Sequence, residues 1–538
     1  MKFAIQKSLQ FPDANWSGLI LAKRASGEFP EIAEIQESGL EQKSLDRIIE
    51  YFQKNKVDKK TGQHDYSTLA TGEVKTLPLH LSNICLRAKA RELGGESAAL
   101  LQWGRGLAKM ISQQKWQRIA LPVIPGLDAA RFRLVLEGLW FGSYRFGELK
   151  EKDDEKDPTL TIIVDTAQGA LSERVLENMV ADIAKQTTAM QQTLKLVLSP
   201  ANICTPEFFS DFAAKQAGAL PDVQSEIWGE DRLEKEDMNL ILAVGRGSPR
   251  ESRLLILNYC GDNTDNGHIA LVGKGVCFDT GGTNLKPSGS IKGMQYDMMG
   301  GAIVYGAFHY LADSGIKANI KAYIPLVENQ IGGKAIKTGD IITSAMGPTV
   351  EINNTDAEGR LILADAIHYA VRQKPRLLLD CATLTGAAIM ALGEQCAAYY
   401  SNDDEVAELF AQAGRETGED VWRMPLFRPY VGYLKSKLAD ISNISTKGSG
   451  GGSLTAALFI EKFALQRDDS RYGEDEAGEE DNTKISNEET PPHAWLHLDM
   501  AGWSGSDEHP SLGENSRALG VRLLSNFVRR YLAGRHSS

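Results

Sequence analysis

Apolar and polar positions follow two different repeats along this chain. Between 172 and 190, Val175, Leu176, Met179, Val180 and Ile183 recur at three- and four-residue spacing, the signature of one helix face. Ser172 stands where a helix cap belongs and Glu173 lies in the first turn. This helix separates two differently patterned halves and reads as a connector. Upstream, short apolar runs mix with helical patterns. Trp116 to Ile124 is strand-like and ends before Pro125-Gly126, and Leu160 to Val164 reads as a closing strand. Polar stretches near 58–66 and 150–158 read as loops. Downstream, Leu240 to Val244, Leu254 to Leu257, Ile269 to Val272, Asn319 to Val327 and Leu377 to Leu379 are strand candidates. They alternate with helical runs at Ile303 to Leu311 and Leu361 to Val371. Such alternation predicts an α/β class with a largely buried sheet. The expected architecture is an N-terminal α/β domain at 1–190, including the connector helix at about 172–190. A larger C-terminal α/β domain at 191–538, built on a central mixed sheet, follows it.

Composition supports this division. A chain of 538 residues is too long for one ordinary core, so two domains are expected. With 42% hydrophobic and 24% charged residues, a disordered, collagen-like or coiled-coil chain is excluded. The net charge is −12, which gives no general attraction to nucleic acid or anionic lipid. Much of it is local: residues 467–490 carry ten acids and three bases, net −7, and end at Pro491-Pro492. That segment reads as an acidic mobile insertion in the C-terminal domain. The N-terminal sequence lacks the apolar core of a signal peptide. The apolar stretch Leu377 to Leu392 is interrupted by Asp380, Thr383 and Thr385, so it reads as a buried strand and loop and not as a membrane span. Cys85, Cys204, Cys260, Cys277, Cys381 and Cys396 are widely spaced with no CxxC pair, which predicts mostly buried free thiols. The expected location is the cytoplasm.

The chemistry concentrates after the run Ile269 to Val272. There the chain reads Gly273-Lys274-Gly275-Val276-Cys277-Phe278-Asp279-Thr280-Gly281-Gly282, followed by Lys286, Asp297 and the run Asn354 to Leu361. A phosphate-binding P-loop needs Gly-Lys-Ser/Thr, but Lys274 precedes Gly275, and the dinucleotide fingerprint is also absent. Taken singly, each Asp is an ordinary cap or turn residue and each Lys a surface residue. Taken together, Asp279, Asp297, Asp356 and Glu358 supply four carboxylates, enough for two divalent cations, and oxygen ligands suit Mg²⁺, Mn²⁺ or an oxygen-rich Zn²⁺ site. Asp356 and Glu358 would diverge by roughly 200° in a helix but share a face in extended chain. The expectation is therefore extended chain here, with the helix starting after Gly359. Rival centres are lacking: no HExxH and no G-x-S-x-G occurs. His497 reads as a satisfied core residue, and Cys277, beside acids, as a poor nucleophile.

These residues resemble the leucyl aminopeptidase, or cytosol aminopeptidase, family of the two-metal type. Asn354 to Leu361, NTDAEGRL, is similar to the family signature. Val272 to Ser288 and Met294 to Ala302 resemble its two metal-binding blocks. Thr383 to Ala387 and Gly451 to Phe463 extend the resemblance downstream, and Glu137 to Phe146 extends it upstream. Thr280 stands where the family usually has Ser, which keeps the hydroxyl. The resemblance implies a hydrolase that releases N-terminal residues, leucine-type ones preferred, from peptide substrates. It implies two metal ions per subunit, Mn²⁺ or Zn²⁺. Asp279 and Glu358 would bridge them, Asp356 would complete one site, and Asp297 with Lys274 the other. Lys274 would bind as a neutral amine, its pKa far below about 10.4. Lys286 and Arg360 are the implied catalytic residues, Arg360 holding a bicarbonate that serves as general base. Met294 and Thr383 would line the pocket for the first side chain, with Leu384 and Gly386 contacting substrate through their backbone. The family also implies a homohexamer. Two alternatives are a narrow dipeptidase, for example for Cys-Gly, on the same metals, and a nucleic-acid-binding or scaffold protein with incidental peptidase activity. The net charge argues against the second.

Overall fold

The computed structural model describes residues 95–113, 128–144, 171–466 except 265–266 and 449, 493–505, 509, 512 and 516–535, and the backbone of six strands before residue 164. The acidic segment 467–490 and Cys85 lie outside the described residues. The chain divides into two compact units, Met1–Thr187 with two short later segments, and Thr188 onward.

The first unit holds strands β1 Lys2–Gln6, β2 Gly18–Lys23, β3 Tyr66–Thr71, β4 Lys75–Asn83, β5 Arg118–Pro122 and β6 Thr159–Ile163. They form a sheet in the order β1-β6-β5-β2-β4-β3, parallel except for the β3–β4 hairpin. Helices Glu96–Gln113 and Ala129–Ser143 meet backbone to backbone. A Cβ at Gly104 would sit 2.3 Å from the Val135 carbonyl oxygen, and one at Gly138 2.3 Å from that of Leu101. Only glycine permits this approach. The connector helix runs Glu173–Leu198, longer than the sequence pattern indicated, and the Ser172 hydroxyl accepts from the Val175 amide at its start.

The second unit is built on nine strands: β7 Val223–Trp228, β8 Arg253–Cys260, β9 His268–Gly273, β10 Gly275–Asp279, β11 Asn319–Asn329, β14 Leu377–Ala382, β15 Ala397–Ser401, β16 Val421–Arg423 and β18 Ala494–Asp499. Their order is β16-β15-β18-β14-β9-β11-β8-β7, with β10 pairing β11 off this path. A small separate sheet joins β12 Ile341–Thr343, β13 Thr349–Glu351 and β17 Ile441–Ser442. Both units are therefore α/β and the larger sheet is mixed. Strands β9, β10, β11, β14 and β18 are mutually parallel, so their carboxyl ends share one edge. β9 and β14 are buried at every position, as near-continuous apolar strands covered on both faces must be.

Helix Met299–Asp313 lies against this sheet through glycine. A Cβ at Gly300 would fall 2.3 Å from the Cys381 carbonyl oxygen, and one at Gly273 2.6 Å from Gly301 Cα. Two expectations are corrected here. Leu240 to Val244 is not a strand but part of helix Asn239–Gly245, because buried Asp365 accepts from the Leu240 and Ile241 amides and satisfies the helix start. The expected loop after Leu377 to Leu379 contains helix Gly386–Leu392, capped by the Thr385 hydroxyl accepting from the Ala388 amide. His497 is a core residue: its Nδ1 bonds Asp380, which also accepts from Trp495 Nε1. Cys204, Cys277 and Cys381 are buried free thiols, and burial pushes the Cys277 thiol well above its ordinary range. Among the described residues no helix is long and apolar enough to cross a membrane.

Candidate metal centre

The centre forms where the five parallel strands end. β9 delivers Lys274 as the first residue beyond Gly273, and β10 ends on Asp279. Ends of strands on one sheet edge are where α/β folds collect functional groups. Beyond Asp279 the chain must reverse at once. Gly281 and Gly282 take positive φ of 86° and 64°, a conformation glycine adopts without strain. The Gly281 amide donates to Asp279 Oδ1, and the Lys286 amide donates to the Thr280 carbonyl. This closed loop returns Lys286 to the strand end, so its Nζ lies 2.8 Å from Asp279 Oδ2 and 2.5 Å from Asp356 Oδ1. Thr280 donates its hydroxyl to the Asn329 carbonyl.

Asp297 follows a short 3-10 turn, Met294–Tyr296, that leads into helix Met299–Asp313. Asp356 and Glu358 precede helix Gly359–Arg372. The segment is not extended, as the sequence reading had it. Asn354 turns it: its Oδ1 accepts from the Asp356 amide and its carbonyl from the Ala357 amide. The turn still brings the two carboxylates together. Asp279, Asp356 and Glu358 each present an oxygen within 4.8 Å of the others. Lys274 Nζ lies 2.8 Å from both Asp297 Oδ1 and Glu358 Oε1, and donates to the Thr383 carbonyl at 2.9 Å. Its side chain passes directly over the start of helix Gly359–Arg372. A Cβ at Gly359 would sit 2.6 Å from Lys274 Cε and 2.7 Å from its Nζ.

Four acids this close cannot all ionise comfortably. Burial and the neighbouring Glu358 raise Asp279 to about 6 against the pull of Lys286 and Lys274. Burial raises Asp297 well above the carboxylate range and also raises Asp356. Glu358 moves the other way: burial opposes its charge, but Lys274 and Lys286 outweigh it. Burial likewise opposes the charge on Lys274, yet Asp297, Glu358 and Asp279 hold its pKa above the ordinary lysine value. The neutral amine implied by the family resemblance would arise only with metal bound. The carboxylates retain the proton, which must leave before the amine can be a ligand. The donor set fits hard divalent cations. Asp297 Oδ2 is buried without a hydrogen-bond partner, an acceptor left to spare.

Arg360 stands beside Glu358 at the start of the helix. Burial lowers its pKa to about 10, its Nη1 donates to the Asn443 carbonyl, and its Nε is buried without a partner. Thr383 joins the centre at two points, through the carbonyl that meets Lys274 and the hydroxyl that donates to Asp297 Oδ1 at 2.8 Å. Leu384 gives its amide to Asp499, and Gly386 is exposed at the first position of its helix. Met294 is half-buried at the turn before Asp297. Cavities of 570 Å³ beside Arg428 and 720 Å³ beside Arg246 include none of these residues.

Several supporting residues were not singled out from the sequence. Asn329 Nδ2 donates to Asp279 Oδ1 at 2.8 Å and to the Thr355 carbonyl at 3.0 Å. The Thr355 hydroxyl bridges the Gly281 carbonyl and the Asn284 amide. Asn443 Oδ1 accepts from the Asn353 and Asn354 amides, holding the turn before Asp356. Asn329 and Asp499 end strands β11 and β18, a position that could have drawn notice.

The chain is similar to known proteins. Residues 191–525 match the model of the cytosol aminopeptidase family, catalytic domain. A cytosol aminopeptidase of Encephalitozoon cuniculi is 37% identical over 397 residues, covering 74% of each chain. A probable cytosol aminopeptidase of Rickettsia bellii is 35% identical over 478 residues and covers 86% of each. One of Bradyrhizobium is 39% identical over 397 residues, covering 73% of this chain and 72% of its own. The match spans every residue of the carboxylate and lysine cluster, and the chain belongs to the cytosol aminopeptidase family.

Proposed function

We propose that this chain is a metal-dependent aminopeptidase that removes N-terminal residues from peptides, with leucine-type residues preferred. The observation that carries the reading is the convergence of Lys274, Asp279, Lys286, Asp297, Asp356 and Glu358 at one sheet edge. Two divalent ions, Mn²⁺ or Zn²⁺, would be held by Asp279 and Glu358 jointly, by Asp356 on one side, and by Asp297 and Lys274 on the other. When bound, the ions supply an acidified water, a seat for the substrate's α-amine and polarisation of its carbonyl.

The chain's own groups do the rest. Burial opposes the charge on Lys286, but Asp279 and Glu358 outweigh it, so it stays protonated and can donate to the oxyanion that develops on the substrate. Arg360 offers its unpartnered Nε near a helix N-terminus, a physically sound seat for bicarbonate as general base. Met294 and Thr383 line the pocket for the first side chain. Leu384 and Gly386 meet the substrate through their backbone. The reading extends to a homohexamer working in the cytoplasm, for which light scattering should give six times the chain mass. Neither the narrow-dipeptidase nor the nucleic-acid reading has an observation in its favour.

The test is hydrolysis of L-leucyl-anilide after chelation and after restoring Mn²⁺ or Zn²⁺, with Glu358→Ala alongside. Activity lost on stripping, regained with metal and absent in Glu358→Ala is the expected result. Folded protein that stays inactive with either metal overturns the reading.

A further inference from the structure

We propose that Asp499 is a positioning residue for substrate binding, acting through the 383–385 segment; this rests on the aminopeptidase reading of the site. Asp499 ends β18 and is only 1% exposed. Its Oδ1 accepts from the Leu384 amide at 3.1 Å, the Thr385 amide at 3.3 Å and the Ala501 amide at 3.3 Å. Its Oδ2 accepts from the Thr385 hydroxyl at 2.6 Å and the Ser453 hydroxyl at 3.3 Å. Five donors converge on one buried group, and among side chains of this size only a carboxylate offers acceptors for all of them.

The fastened segment lies between β14 and helix Gly386–Leu392, where no strand ladder holds it. It nevertheless carries groups of the centre. The Thr383 carbonyl accepts from Lys274, and the Thr383 hydroxyl donates to Asp297. With its amide committed to Asp499, Leu384 has only its carbonyl to offer a bound peptide. Asp499 thus fixes which backbone group faces substrate, without touching substrate itself. The nearby pair Asp380 and His497 differs, because it fastens only the core strands β14 and β18.

The experiment compares Thr385→Val, Thr385→Ser and Asp499→Asn with the wild type, each loaded with Mn²⁺. It measures kcat and KM on L-leucyl-anilide together with bound metal. Loss of a charge-assisted hydrogen bond predicts a KM raised about tenfold in Thr385→Val and Asp499→Asn. In those variants kcat and metal content should hold near wild type, and Thr385→Ser should restore KM. Three results overturn the proposal: an unchanged KM, a loss of activity that tracks a loss of metal, or Thr385→Ser as impaired as Thr385→Val. If Asp499→Asn does not fold, the Thr385 pair decides alone. An inactive wild type sinks the aminopeptidase reading and this inference with it, whereas an active wild type with an unmoved KM sinks this inference alone.

Discussion

A single amide illustrates how the centre is held. Asn329 gives both hydrogens of Nδ2, one to Asp279 and one to the Thr355 carbonyl, so it orients the Asp279 carboxylate and anchors the turn before Asp356. Removing such a support commonly costs 10–100-fold in metal affinity. Asn329→Ala should therefore release Mn²⁺ to a competing chelator at roughly 10–100-fold lower chelator strength. His268 makes a different prediction, on pH. Burial, then Lys321 and Arg376, lowers its pKa to about 4, so the folded chain holds it neutral while the unfolded chain takes a proton near pH 6.5. The unfolded state binds more protons between those values, so stability falls as pH drops from about 6.5 to about 4, by up to roughly 3 kcal/mol. Denaturant titrations across that window should show the slope, and His268→Gln should flatten it. At this scale the sequence was eloquent about charge and silent about its supports. Acids and lysines in a short glycine-rich run attract suspicion. Asn329 and Asn443 are ordinary turn formers anywhere else, and their partners lie 50 and 89 residues away.

Among the elements, helix Met299–Asp313 fits tightly against the strands β9 and β14. Gly300→Ala would drive a methyl against the fixed Cys381 carbonyl, with no flexible side chain to yield. Overpacking of this kind costs about 1–3 kcal/mol, and here it would also shift Asp297, two residues before the helix. A lowered melting temperature together with reduced activity is the expected outcome, while Gly315→Ala past the same helix, where nothing approaches but φ is 69°, should lower the melting temperature and spare activity. Long periodic runs such as Leu361 to Val371 were legible because they contain several turns' worth of pattern. Leu240 to Val244 was not: five apolar residues fit a strand or a buried helix equally well. What decides between them is Asp365, distant in sequence, which receives the first amides of the helix.

At the scale of the whole molecule, the centre gathers four acids whose mutual repulsion a bound cation would relieve. Lys274 and Lys286 leave four acids incompletely balanced. A cation that binds the folded chain alone adds about 2.7 kcal/mol at a concentration one hundred times its dissociation constant. Calorimetry should therefore show a melting temperature that rises with Mn²⁺ and falls on chelation in the wild type, with the response strongly reduced in Glu358→Ala. The α/β class was legible from alternation alone, which left the sheet either mixed or parallel. The gathering of five strand ends on one edge was not, because strand order depends on pairings between segments more than a hundred residues apart, as between β14 and β18.

The passage of Lys274 over Gly359 has a consequence for descent. A side chain at 359 displaces the lysine, and a shorter residue at 274 leaves the glycine without purpose while the helix still bears its weak propensity. Neither position can change by itself without harm, so descent would have to alter the two together or not at all.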